Sequence, residues 1–238
     1  WDFAVEESSL IQNLKWRAGY LKKYLSSFTV YHFHDTSVSS PMRGDCNIND
    51  NEYLRDNGSN LAAFLYSMMQ NDETNFRLIE GVVSSIAPYF KCFKLRPDVN
   101  DKERIRLEWE EKETDMYLNG YSFSDGTLRF IALATLLLQS KTPEVIVIDE
   151  PELGLHPAAI NKFAELVKRA SNKSQIILST QSTNLVNCFD VKDIIVVDRI
   201  ESQSVFRHLS EEDLATWMDE YDLSISDLWE KNMIGGQL

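Results

Sequence analysis

The segment over residues 144–157, EVIVIDEPELGLHP, constrains the fold of this chain more than any other part of the sequence. Its apolar run Val145–Ile148 is rich in β-branched residues, which is typical of a strand covered on both faces in a parallel sheet. Asp149 and Glu150 follow directly, so two carboxylates stand at the carboxyl end of that strand. Ligands of open parallel sheets bind at these strand ends. The segment therefore predicts an α/β fold with an acidic site at one edge of the sheet.

The residues around this segment continue the same pattern. Residues 128–138 predict a helix that is buried almost all round, and residues 158–170 predict an amphipathic helix. Two further short apolar runs, 175–178 and 194–197, predict strands. Strands that alternate with helices indicate a mostly parallel sheet with right-handed crossovers. We expect this α/β core to span residues 121–200.

The preceding residues, 1–120, are expected to form a helical and antiparallel-strand subregion. This subregion is expected to begin with an amphipathic helix over residues 8–25 and a short strand over residues 30–34. The other predicted elements are a loop over 41–57, helices over 61–69 and 76–86, and strands over 93–96, 105–110 and 115–118.

Residues 201–238 differ in charge and are expected to form an acidic helical tail. They contain nine acids and two bases, with Trp217 and Trp229 among the apolar residues between them. The pattern favours amphipathic helices that pack on the core with a solvated acidic face. The alternative is a docking element for a basic partner, since the sign of the charge disfavours direct binding to DNA.

Composition excludes several classes of protein. The 238 residues are 43% hydrophobic, which is enough for a buried core. The net charge of −13 argues against a protein that coats nucleic acid with its whole surface. Cys46, Cys92 and Cys188 are far apart, so a disulfide framework and a zinc site are disfavoured, and a cytoplasmic location is expected. The longest apolar run is too short to span a bilayer.

The adjacent carboxylates of Asp149 and Glu150 repel each other, so they need a positive charge nearby. A magnesium ion with a nucleotide phosphate is a common solution at such a strand end. Asp149 would then hold the ion through a water molecule, and Glu150 would polarise the water that attacks the phosphate. The weaker alternative is a pair of ordinary solvated acids, because the apolar–Asp–Glu–Pro pattern is short but distinctive.

Residues 122–127, SFSDGT, are a second candidate for ligand binding, because they precede the buried helix. Ser124 or Asp125 can cap that helix, and Gly126 lets backbone N–H groups approach a ligand closely. The alternative is a plain N-cap. The negative charge of Asp125 also disfavours a naked phosphate beside it.

A third candidate segment covers residues 176–184, IILSTQSTN, where a predicted strand ends in polar residues. Parallel-sheet geometry places this strand end beside the acid pair. Gln181 can orient a water or contact a phosphate. Capping of a helix by Ser182 or Thr183 explains the same residues about as well.

His32, His34 and Asp35 form an H-x-H-D pattern. On a strand the two histidines would share one face, which makes a metal site conceivable. The sequence offers no third ligand at a useful spacing, so a metal at this position is disfavoured.

Taken in order, the three candidate segments resemble the C-terminal half of an ABC-type ATPase head (a P-loop NTPase), and the chain is similar to RecF/SMC/ABC-type bacterial ATPases. Within that group it most resembles the AAA family ATPases of the PtuA-like type, found in Septu and retron phage-defence systems. The motifs that carry this finer resemblance are YHFHDTS (31–37), DNGSNLAAFLY (56–66) and SDLWEKNMIGG (226–236).

The resemblance implies ATP and Mg²⁺ as cofactors and a role for each motif residue. By this resemblance, the ABC signature would contact the γ-phosphate of the opposite subunit, and its residues are Ser124, Asp125, Gly126 and Thr127. The D-loop would be Leu155 and His156. Asp149 would coordinate the metal, and Glu150 and Gln181 would be the catalytic residues.

The chain departs from this family pattern in two ways. Gln181 stands at the switch position, where most ABC ATPases have His, and a neutral amide cannot carry the proton of an imidazolium. None of the nine glycines is followed by Lys-Ser or Lys-Thr, so the 238 residues hold no G-x-x-x-x-G-K-[ST] P-loop. We therefore expect the N-terminal P-loop lobe to be absent from this chain and the ATP site to be incomplete within it.

Two functional hypotheses follow. The first is an ATP-hydrolysing subunit that forms a head-to-tail dimer, or a higher homo-oligomer, around ATP and regulates an effector in anti-phage defence or DNA repair. The second is a nucleotide-gated scaffold that holds a separate nuclease with little hydrolysis. Glu150 favours the first, whereas Gln181 and the lack of a P-loop favour the second. Forty residues follow Asp198, too few for a Toprim nuclease domain, so a nuclease would be a separate protein. DNA or RNA is a further candidate partner, and a membrane is not expected.

Overall fold

The structure is a computed structural model that describes residues 28–114, 116–210, 214 and 223–236. The helix predicted over residues 8–25 lies outside these ranges, as does Trp217 of the acidic tail. None of the described helices has the length and the apolar composition that a membrane span requires.

A three-stranded parallel sheet carries the acidic segment. Its strands are β1 (Thr29–Tyr31), β7 (Val145–Asp149) and β8 (Gln175–Ser179), with β7 in the centre. The predicted parallel sheet is thus confirmed, and the acid-bearing strand is its central strand. β1 is shorter than predicted, because the N–H of His32 donates to the carbonyl of Asp56 in a loop and not to a neighbouring strand.

One face of this sheet is covered by two helices. Helix α3 (Asp125–Leu138) is buried over almost its whole length, and helix α4 (Pro157–Ala170) buries its apolar stripe. Two further helices, α1 (Leu61–Asn71) and α2 (Glu73–Ile86), precede them, and α2 packs on α3.

The opposite face of the sheet is partly open among the described residues. Val30, Val147 and Ile177 are paired across the three strands and form one apolar row. Val30 is 42% exposed and Ile177 is 47% exposed. The expected cover on both faces is therefore present on one face only in the part of the chain that the structure describes.

Short antiparallel strands hold the residues that come just before α3. β2 (Asp45–Asn47) pairs with β4 (Arg104–Arg106). A second sheet contains, in this order, β3 (Phe90–Phe93), β5 (Glu108–Glu111) and β6 (Tyr117–Asn119). Trp109, on the central strand of that sheet, stacks on Phe123 with ring centroids 4.6 Å apart. Phe123 directly precedes Ser124, so this stacking fixes the start of α3.

The C-terminal part departs from the sequence prediction. The strand predicted over residues 194–197 is β9 (Ile195–Ile200), and it pairs antiparallel with β10 (Gln203–His208) instead of joining the parallel sheet. Strand β10 lies within residues 201–238, which were expected to be helical. Its sequence pattern did not indicate a strand, because all six of its residues are exposed and it has no clear apolar side. Two short helices complete this part, α5 (Thr183–Val186) and α6 (Ile225–Glu230).

A second, smaller core holds this C-terminal part together. Val196 of β9 and Leu228 of α6 are buried in it, and the indole N–H of Trp229 donates to the carbonyl of Gly236 at 3.3 Å. The prediction of a short helix packed by apolar residues is confirmed for Ile225–Glu230. The predicted outward position of Glu211, Glu212 and Asp213 lies outside the described residues.

The stacking of Trp109 on Phe123 leads to a stability prediction. Phe123→Ala should lower the free energy of unfolding by about 3–5 kcal/mol, because it removes a buried ring and leaves a cavity beside Trp109. Tyr121→Ala is the matched control, since Tyr121 is 52% exposed, and it should change stability by less than about 0.5 kcal/mol. Chemical denaturation of both variants measures the difference, and equal losses would show that the stacking does not anchor α3.

Candidate functional site

The two acids at the end of β7 lie where the parallel sheet places them beside β8. Asp149 pairs with Ser179 in the ladder, and the Ser179 hydroxyl donates to Asp149 Oδ1. The N–H of Glu150 donates to the carbonyl of Ser179 at 2.9 Å, which continues the ladder one step beyond the strand. Both carboxylates are half-buried. The sequence-predicted metal acid and catalytic base therefore stand together at the carboxyl edge of the sheet.

Glu150 has an unusual backbone conformation. Its φ is +40°, in the left-handed region that non-glycine residues seldom adopt. The hydrogen bond of its N–H to Ser179 holds it there, and the buried ring of Pro151 follows. Residues held in such conformations cluster at sites of function, where the surrounding structure compensates the strain.

The end of β8 carries the third sequence-predicted segment to the same edge. Gln181 is exposed and lies two residues beyond the strand, so it follows the carboxyl end of β8 as the acids follow that of β7. Ser182 caps helix α5 by accepting from the N–H of Leu185, which realises the capping alternative for that residue. The Thr180 hydroxyl donates to Glu152 Oε1 at 2.5 Å, while Glu152 Oε2 is buried without a hydrogen-bond partner.

The SFSDGT segment forms the N-terminus of α3. Ser124 is the N-cap, and its hydroxyl accepts from the N–H of Thr127 at 3.2 Å. Thr127 is buried, and its hydroxyl lies 3.1 Å from the Tyr89 hydroxyl. The plain capping role is therefore present, and it leaves Ser124 and Asp125 exposed.

Gly126 has a packing role in addition to the ligand approach predicted from the sequence. A Cβ atom at this position would lie 2.4 Å from the carbonyl oxygen of Gly154. Gly154 itself has a φ of +73°, which favours glycine. The two glycines let the start of α3 contact the loop that follows the acid pair.

This contact places the signature and D-loop candidates around one cleft. Its volume is about 130 Å³, and Leu155 and His156 line it from the side of α4. The Nδ1 atom of His156 accepts from the N–H of Ala158 and caps that helix. The acid pair and Gln181 are not part of the cleft lining. The cleft-lining candidates on α3 are Ser124, Gly126 and Thr127.

Two buried arginines position these segments, and neither was predicted from the sequence. Arg43 donates to the carbonyls of Gly120 at 2.6 Å and Phe123 at 2.9 Å, and it forms an ion pair with Asp125 at 2.7 Å. Asp125 therefore has a structural partner within the chain. The only sequence signal was a cationic residue inside a predicted polar loop, which is normally read as solvated.

Arg129 is the second buried arginine, and it lies on α3. Its guanidinium donates to the carbonyls of Phe33 at 2.9 Å and His34 at 2.8 Å. Burial lowers the pKa of Arg129, and the charge of Asp125 opposes that shift. The sequence pattern hid this residue because it lies within an otherwise apolar helix.

The structure also corrects the expectation that the two N-terminal histidines lack a third ligand. His32 and His34 follow β1 and are not part of the strand. Asp149, from β7, joins them, and each of the three residues offers one ligand atom within 4.8 Å of the others. The third ligand is far away in sequence, so no local spacing could reveal it.

Comparison with known proteins identifies relatives of this arrangement. A protein-family model described as "AAA domain, putative AbiEii toxin, Type IV TA system" matches residues 33–187. The Old nuclease of Escherichia phage P2 is 31% identical over 111 residues, which cover 42% of this chain and 19% of that protein. The energy-coupling factor transporter ATP-binding protein EcfA2 of Staphylococcus aureus (strain bovine RF122 / ET3-1) is 26% identical over 136 residues, covering 53% of this chain and 46% of that protein. The chain thus spans less than half the length of either relative.

A solved structure shows the fold. The SmcHead bound to the C-winged helix domain of ScpA has 21% sequence identity and a TM-score of 0.50, covering 63% of this chain and 47% of that one. The matched part of the chain therefore has the mixed α/β fold of an SMC head, which is consistent with the P-loop NTPase fold predicted from the sequence.

The close approach of Gly126 to Gly154 generates a second stability prediction. Gly126→Ala should destabilise the protein by about 1–3 kcal/mol or more, because the new methyl group meets a backbone carbonyl that cannot rotate away. Gly81→Ala is the matched control within helix α2, where a Cβ has nothing within 4 Å; it should stabilise by about 0.5–1 kcal/mol. Thermal and denaturant unfolding measure both, and a neutral Gly126→Ala would contradict the packing role.

Proposed function

The chain belongs to the AAA-domain family, and from this membership we propose that it is an ATP-binding and ATP-hydrolysing subunit of the ABC/SMC type that dimerises around ATP. The observation that carries the proposal is the pair Asp149 and Glu150 at the carboxyl end of the central strand, with Ser179 and Gln181 at the end of the next strand. Nucleotide phosphates bind at this edge in parallel sheets.

Asp149 and Ser179 offer a carboxylate and a hydroxyl oxygen, which are ligands that suit a hard divalent cation. The donor set therefore fits the Mg²⁺ expected from the sequence. When bound, the ion neutralises phosphate charge. Asp149 is the residue that would hold it, and the Ser179 hydroxyl orients the Asp149 carboxylate.

Glu150 is proposed as the general base. The hydrogen bond that holds its strained backbone is donated by its N–H and not made by its carboxylate. The carboxylate is therefore not used for folding in any contact that the structure describes. It would accept the proton of the water that attacks the γ-phosphate. Gln181, exposed at the end of the neighbouring strand, would donate a hydrogen bond to that phosphate.

Ser124 and Gly126 are proposed to act on the nucleotide of a second subunit. They line a cleft that the acid pair does not reach, and Ser124 is exposed. A helix N-terminus with free N–H groups favours an anion. The arrangement supports a head-to-tail dimer in which each cleft closes on the phosphates held by the opposite subunit.

The biological setting is a further part of the proposal. We place the protein in the cytoplasm, among the PtuA-like ATPases of phage defence, with DNA repair as the alternative setting. A separate nuclease is the proposed effector, and the likeness to a phage protein named as a nuclease supports testing one. The acidic tail would suit a basic partner, and DNA or RNA is a further candidate ligand.

The alternative function is a nucleotide-gated scaffold with little hydrolysis. Gln181 favours it, because an amide cannot supply the proton that the usual switch histidine carries. Replacement of Glu150 helps to distinguish the two proposals, because only the hydrolysing subunit needs a general base.

Hydrolysis by the full-length protein should depend on Glu150. Glu150→Gln should lower kcat by about a hundredfold or more, because it removes the base while keeping the size of the side chain. Binding of ATP should be unchanged. Steady-state phosphate release and equilibrium nucleotide binding measure the two quantities. An unchanged kcat would contradict the role of Glu150, whereas nucleotide binding without measurable hydrolysis by the unmodified protein would favour the scaffold.

Dimerisation should depend on ATP and on Ser124. Glu150→Gln should trap the dimer by blocking hydrolysis, whereas Ser124→Arg should prevent it by placing bulk and charge in the cleft. Ser171→Arg is the control, since Ser171 is exposed at the opposite end of α4 from the cleft. Sedimentation velocity with and without ATP measures the state of each variant. The same oligomer under all conditions would remove the ATP-gated dimer from the proposal.

A further inference from the structure

His32, His34 and Asp149 converge from two separate segments of the chain. Their ligand atoms lie within 4.8 Å of one another. His32 is exposed, while His34 and Asp149 are half-buried. Ligand atoms bound to one ion at about 2.1 Å are roughly 3–3.5 Å apart. The 4.8 Å limit is wider than this spacing, so the three side chains must come closer together to surround one cation, and His32 is the exposed member of the group.

The ring of His34 is already positioned by the structure. Its Nε2 lies 2.8 Å from the backbone carbonyl of Asp149. A carbonyl oxygen only accepts, so Nε2 carries the proton in the neutral ring and Nδ1 carries the lone pair. Metal-binding histidines are commonly oriented by such a bond to a backbone carbonyl. Arg129 donates to the carbonyl of His34 at 2.8 Å and holds that backbone in place.

The carboxylate of Asp149 is oriented in the same way. The Ser179 hydroxyl donates to its Oδ1 atom. Supporting hydrogen bonds of this kind fix the ligands before the ion arrives. Two ligands of the group therefore have outer partners in the structure, and the exposed third ligand leaves solvent access to the centre.

We propose that His32, His34 and Asp149 form a binding site for a divalent transition-metal ion of the Mn²⁺, Co²⁺ and Zn²⁺ class, in preference to Mg²⁺. Imidazole nitrogen suits these ions, whereas Mg²⁺ prefers oxygen ligands. Three protein ligands leave coordination positions open for water or a phosphate oxygen. The site deepens the proposed function, on which it rests for the phosphate that would occupy an open position. It concerns the same cation position at Asp149 that is proposed above for Mg²⁺, and it assigns to the two histidines a shift of that position's preference toward ions that imidazole binds.

Co²⁺ provides the test, because its visible absorption reports the ligands around it. Titration of the whole chain with Co²⁺, without nucleotide, should show one ion bound per chain by absorption and by equilibrium dialysis. His32→Ala and His34→Ala should each weaken binding at least about tenfold. His208→Ala is the matched control on exposed strand β10 and should bind Co²⁺ as the unmodified chain does. Circular dichroism verifies that each variant is folded; His32 is exposed, so its removal tests the site even if His34→Ala does not fold.

The outcomes separate this inference from the proposed function. Absence of Co²⁺ binding, equal binding in His32→Ala, or displacement of Co²⁺ by an equal concentration of Mg²⁺ would overturn the histidine site. Hydrolysis of ATP with Mg²⁺ by the full-length protein would still support the proposed function in that case. Conversely, histidine-dependent Co²⁺ binding together with hydrolysis unaffected by Glu150→Gln would support the metal site and contradict the proposed catalytic role.

Discussion

The buried guanidinium of Arg129 joins the three segments on which the candidate site depends. It lies on α3, donates to the carbonyls of Phe33 and His34, and packs against Gly154 so closely that a Cβ there would lie 3.0 Å from its Nη1. A buried cation is costly unless its N–H groups are satisfied. The backbone around His34 and the loop after the acid pair must therefore remain where they are for Arg129 to be accommodated.

Arg43 has the corresponding role for the segment that starts α3. Its N–H groups satisfy the carbonyls of Thr36, Gly120 and Phe123, and its charge is paired with Asp125. Stacking of Trp109 on Phe123 supports the same segment from the antiparallel sheet. The guanidinium groups of Arg43 and Arg129 and the stacked rings of Trp109 and Phe123 thus fix the N-terminus of α3, whose outer side remains exposed.

The acid pair and the cleft at the start of α3 belong to two separate surfaces, although their motifs follow one another along the sequence. The acids of β7 stand at the edge of the sheet, whereas the cleft at the start of α3 is lined by other residues and is connected to the acids by residues 150–156. The separation agrees with a function in which one surface holds a nucleotide and the other closes on the nucleotide of a second subunit. The open row of Val30, Val147 and Ile177 adds an apolar face to the same sheet.

The sequence by itself determined the elements whose signals are local. The run Val145–Ile148 with its acids predicted a strand of a parallel sheet and the edge at which the candidate site lies, and the apolar residues of 128–138 predicted the buried helix. Only the tertiary structure decided that Asp149 meets His32 and His34, that Arg43 and Arg129 are buried, and that β9 leaves the parallel sheet for β10. Each of these depends on contacts between residues that are distant in the chain or on a choice of strand partner. Hydrophobic periodicity and capping residues depend on neighbours within one or two helical turns, so they do not predict contacts between distant residues.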